Sequence, residues 1–84
     1  MKKELTLLDI YTTHVENDYL LAVKVSTGSH KNKEFVQMLQ NQAFGAVEGI
    51  VAWLNHQRDP ENLIPALLKM WGEYHEKFNQ LLEK

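Results

Sequence analysis

An all-α fold follows from three observations. Punctuation is sparse: the prolines are Pro60 and Pro65 and the glycines are Gly28, Gly45, Gly49 and Gly72, too few to separate many short strands. Apolar residues recur at three- and four-residue spacing over most of the chain. The tetrapeptide Asp59-Pro60-Glu61-Asn62 has the chemistry of a helix start between two amphipathic runs. Together these predict one small domain over residues 1–84 with about four helices, the last two forming an antiparallel hairpin.

The first apolar run carries Leu7, Leu8, Ile10, Tyr11, Val15, Tyr19, Ala22 and Val23. Glu16-Asn17-Asp18 interrupts it, and Asn17 or Asp18 is a fitting cap, so two short helices with a break near Glu16 are expected, with one continuous helix, or a strand over Tyr19–Ser26, as the alternatives. Ser26-Thr27-Gly28-Ser29-His30 reads as a loop, with Gly28 at the left-handed position that ends many helices. Asn32 or Ser29 caps the next helix. Lys33 to His56 is one long helix, with Phe35, Met38, Leu39, Gln42, Ala46, Gly49, Ile50, Trp53 and Leu54 on its stripe.

The last helix is expected to open at Asp59, with Pro60 in its first position and Glu61 at the positive end of the dipole. Its stripe is Ile64, Leu67, Leu68, Trp71, Tyr74, Phe78, Leu81 and Leu82. Pro65 then falls inside the helix and predicts a kink. Gly72 weakens the same helix, which predicts close approach by a neighbour.

An 84-residue chain without cysteine has no disulfide staple and no thiolate metal site, so oligomerisation is the remaining common aid to stability. The absence of cysteine fits a cytoplasmic protein. A net charge of −2 with interspersed signs argues against a nucleic-acid surface. The N-terminus is not a signal peptide, and no apolar run approaches the ~18 residues of a membrane span.

His14, His30, His56 and His75 are scattered, and none of them pair at the spacing of a helical zinc site. No serine sits in a nucleophile elbow, and the Thr27-Gly28-Ser29 loop is too short to cradle phosphate. The reading is therefore non-enzymatic, without catalytic residues, metal or cofactor.

The small-residue face is more informative. Gly45, Gly49 and Ala52 share one side of the long helix, where another backbone approaches closely, either from the last helix of the same chain or from a partner. Phe44, Trp53, Trp71, Tyr74 and Phe78 are more aromatic surface than so short a chain hides easily.

The segment FGAVEGIVAWLNHQRDPENLIPALLKMW resembles the last two helices of the tetracycline-repressor (TetR) family of bacterial regulators. The matching elements are Gly45 and Gly49, the pair Trp53-Leu54, and the turn Asp59-Pro60-Glu61. Upstream, HVENDYLLAVKVSTGSHKNKEFVQML is similar to the segment that leads into that hairpin. The family's helix-turn-helix is absent, so no DNA contact carries over. The resemblance implies an effector-sensing and dimerisation domain whose two hairpins form a four-helix bundle in a homodimer. The implied interface is Gly45, Gly49, Trp53, Leu67, Trp71, Tyr74 and Phe78. Tyr11, Tyr19, Leu20, Leu39 and Phe44 would face a small apolar effector. The alternative is a stand-alone helical interaction factor of phage or immunity type, using the same aromatic face.

Overall fold

A computed structural model describes residues 6–28 and 32–83. They form three α-helices, α1 (Leu7–Thr27), α2 (Lys33–His56) and α3 (Ile64–Glu83), and no strand occurs among the described residues. The expected break near Glu16 is not there. Val15, Asp18 and Ala22 continue one buried row through it, and packing along that row overrides the polar interruption.

Side chains set the helix ends. The Asp9 N–H donates to Thr6 Oγ1 (3.1 Å) and the Thr6 N–H donates to Asp9 Oδ2 (3.2 Å), a reciprocal box that starts α1. At its other end the Ser26 and Thr27 hydroxyls donate to the carbonyls of Ala22 (3.0 Å) and Val23 (2.9 Å). Gly28 has φ −77°, so its left-handed role is not used. Asn32 accepts from the Phe35 N–H and caps α2; Ser29 lies outside the described residues.

The α2–α3 turn differs from the expectation. Gln57 ends α2, and Arg58 turns left-handed at φ 65°. The Arg58 N–H donates to the Asn55 carbonyl and the Asp59 N–H to the Leu54 carbonyl, the paired bonds of a Schellman end. Pro60 stays in the turn, and α3 begins at Ile64. Asp59 still caps α3, but across the turn: its carboxylate accepts from the N–H groups of Leu63 (2.7 Å) and Ile64 (2.9 Å). Pro65 is thus the second residue of α3, where its missing N–H costs no helical bond.

Each helix buries a row of alternating three- and four-residue steps. On α2 the row is Val36, Gln40, Ala43, Val47, Ile50 and Leu54; on α3 it is Leu67, Trp71, Tyr74, Phe78 and Leu81. Leu67 and Phe78 are fully buried, each worth about 1.5–3 kcal/mol of hydrophobic stabilisation. The chain runs up, down, up. Gln40 Nε2 donates to Asn79 Oδ1 (3.0 Å) and Phe44 lies 5.6 Å from Trp71, so α2 and α3 are antiparallel. The hairpin expected for the last two helices is present, and α1 packs against both of its members. Among the described residues, no helix is long and apolar enough to cross a membrane.

Leu39, Ile50 and Leu54 of the expected α2 stripe are buried, but the stripe as a whole is rotated from its expected position. Met38, Gln42, Gly49 and Trp53 are exposed, while Val36, Gln40, Ala43 and Val47 take the core. Gly72 is also exposed, and a Cβ there meets nothing within 4 Å, so no helix approaches it in this chain.

Candidate interaction face

The exposed side of α2 is short of charge. Between Phe35 and His56 the sequence holds one acidic residue, Glu48, and no lysine or arginine. Gly45 and Gly49 lie on this side, and a Cβ built on either meets nothing within 4 Å. The stripe therefore does not pack on α3, and the intramolecular reading of the glycines is overturned. Trp53 stands one turn beyond Gly49 and is 54% exposed.

Beside α1 these residues form an open groove of about 550 Å³, lined by Leu7, Tyr11, Gly45, Ala46, Gly49, Ile50 and Trp53. A second hollow of about 420 Å³ adjoins it at Leu7 and Trp53 and reaches Gln57, Pro60, Glu61 and Leu63. Along α1 the row Leu7, Tyr11 continues through His14 to Asp18. Asp18 is only 9% exposed, and its Oδ2 has no hydrogen-bond partner. His14 Nε2 stands 3.6 Å from that oxygen, a proximity that the unbroken helix creates. Burial pushes the Asp18 carboxyl above its ordinary value near 3.8, and His14 opposes the shift. Sequence reasoning missed Asp18 as a core residue, although it sits four residues before Ala22 and three after Val15.

The expected interface residues separate into two groups. Gly45, Gly49 and Trp53 share the open groove. Leu67, Trp71 and Phe78 belong to the core of this chain, and Tyr74 is half-buried against Tyr19 at 5.9 Å. α1 packs against both members of the hairpin. Trp71, one of the implied interface residues, packs on Phe44, Phe78 and His75.

The expected effector residues do not converge. Tyr11 lines the groove, Tyr19 sits 5.5 Å from Phe78 on the opposite seam, and Leu39 is core. Leu20 is 54% exposed, and Phe44 is exposed beside Trp71. Among the described residues, no three His, Cys, Asp or Glu side chains gather where they could hold a metal ion. No family model, characterised protein or solved structure matches this chain.

Proposed function

We propose that this chain is a non-catalytic helical interaction module, that its working surface is the open α1–α2 face, and that it works as a homodimer. One observation carries the reading: a large exposed tryptophan stands beside two mid-helix glycines that nothing in the chain covers. Each glycine costs the helix about 1 kcal/mol relative to alanine, and a partner pressed against the bare backbone offsets that cost. The near-absence of charge on α2 fits a surface that is desolvated on association.

Light scattering across a concentration series tests this. The expected result is a dimer at micromolar concentration. Gly49→Leu is expected to weaken association about tenfold or more, since overpacking costs about 1–3 kcal/mol. Helix content should hold, because the added side chain points into open space in the single chain. A parent that stays monomeric at high concentration overturns the reading.

A second reading takes the chain as the dimerisation part of a TetR-like regulator. The antiparallel α2–α3 hairpin and its Asp59-Pro60-Glu61 turn favour it. An in-frame helix-turn-helix directly upstream in the coding DNA would support it, and its absence would remove it.

A further inference from the structure

We infer that His14 and Asp18 form a proton-operated latch in the α1–α2 seam: a protonated imidazole closes on the buried carboxylate, and a neutral one leaves it unpaired. The latch works in a single chain, with or without a second copy. The uninterrupted α1 brings the two side chains together, since residues four apart share a helix face. Asp18 is 9% exposed, and its Oδ2 is out of reach of water and has no hydrogen-bond partner among the described residues. Such an oxygen is costly when charged, because neither water nor a donor stabilises it. His14 Nε2 stands 3.6 Å away, too far for a hydrogen bond but within ion-pair range. The His14 side chain is 45% exposed, so it exchanges protons with solvent and its ring has room to turn.

No other charge competes for the carboxylate. The α2 wall beside this row of α1 is Gly45, Ala46, Gly49 and Ile50, all uncharged. Glu48 lies one turn beyond Phe44, on the side of α2 that meets Trp71 of α3. Lys33 and Glu34 open α2, and His56 ends it. On the α1–α3 seam, Glu16 and Glu73 act on Tyr74, and Lys77 lies over the Tyr19 and Tyr74 rings. His75 packs on Trp71. Among the described residues, His14 is the charge that acts on Asp18, opposing the upward shift that burial imposes. Histidine changes charge between about pH 5 and 8, so the latch closes as pH falls through that range. The stability gained from the closed pair is present on the acid side and lost as pH rises. Further into acid the Asp18 carboxyl takes up a proton itself, and the attraction ends.

Urea titrations of the parent and of His14→Ala, at about pH 6 and about pH 8, test the latch at dilutions where the chain is monomeric. The variant's loss in folding equilibrium constant is expected to be about three- to fivefold larger at the lower pH. The effect is modest because the His14 side chain is nearly half in water. The remaining histidines are common to both chains and cancel. In an Asp18→Asn background the same His14→Ala comparison is expected to lose its pH dependence, since no carboxylate remains to close on. A loss that is equal at both pH values overturns the latch. So does a pH-dependent loss that persists unchanged with Asp18→Asn, because it would place the partner of His14 elsewhere.

Discussion

The two long seams of α1 are built from similar material and end differently. Against α3, Tyr19 meets Tyr74 at 5.9 Å and Phe78 at 5.5 Å, edge to face, and Lys77 lies 4.8 Å over the Tyr74 ring. That seam is filled by aromatic bodies and roofed by a cation. Against α2, Tyr11 faces Gly45 and Gly49 across an open groove, and Trp53 leans outward at its end. Aromatic side chains are present in both. What differs is the opposite wall: large side chains close one seam, and glycines leave the other open. A closed seam stabilises the chain alone; an open one leaves apolar surface in water.

The largest expected effect comes from breaking the closed seam. Phe78→Ala removes a fully buried ring and should destabilise the fold by about 3–5 kcal/mol. Urea titration followed by circular dichroism measures it. A loss well under 1 kcal/mol would mean the seam carries little of the stability.

Next comes the open seam. Combining Gly45→Ala with Gly49→Ala should stabilise the single chain, by about 1 kcal/mol for each site, because each methyl enters empty space. The melt is run at dilutions where the chain is monomeric. A destabilised double variant would show that the groove is too narrow to take a methyl.

Much of the closed seam is legible in the sequence, and little of the open one. Most of the α3 stripe falls where its periodicity puts it, since Leu67, Trp71, Phe78 and Leu81 are large and regularly spaced, although Leu68 is exposed and Met70 is buried. On α2 the same rule finds Leu39, Ile50 and Leu54 but also points at Trp53 and Met38, and so turns part of the stripe toward solvent. The true core row passes through Gln40 and the small Ala43; Gln40 Oε1 accepts from Gln37 Nε2 (2.7 Å), and its Nε2 donates to Asn79 Oδ1 (3.0 Å), 39 residues away. No local pattern encodes the bond to Asn79. Asp18 misleads in the same way: its chemistry is that of a cap, and its place is in the core.

The smallest effect concerns that aspartate, which sits on the row that continues the open seam. Its raised pKa means the folded chain favours the protonated form. The stabilisation from protonation is complete below the ordinary value near 3.8 and is lost as pH rises through the higher folded value. At pH 7 the buried carboxylate is therefore a cost. Asp18→Asn should be more stable than the parent there by about 1 kcal/mol. The difference should shrink as pH falls toward 4. Paired urea titrations at the two pH values check it, and a constant difference would place the effect in packing, not charge.

The link between α2 and α3 also limits how copies of this chain can exchange parts. To swap α3 with a neighbour by straightening the hinge, residues 57 to 63 would have to become helix. Pro60 and Pro65 would then lie in the interior of one fused rod, each costing about 3 kcal/mol through a lost bond and a ring clash. The capping bonds from Asp59 to Leu63 and Ile64 would be lost as well. Two prolines that are harmless in the folded hairpin thus act as a lock against a fused-helix exchange.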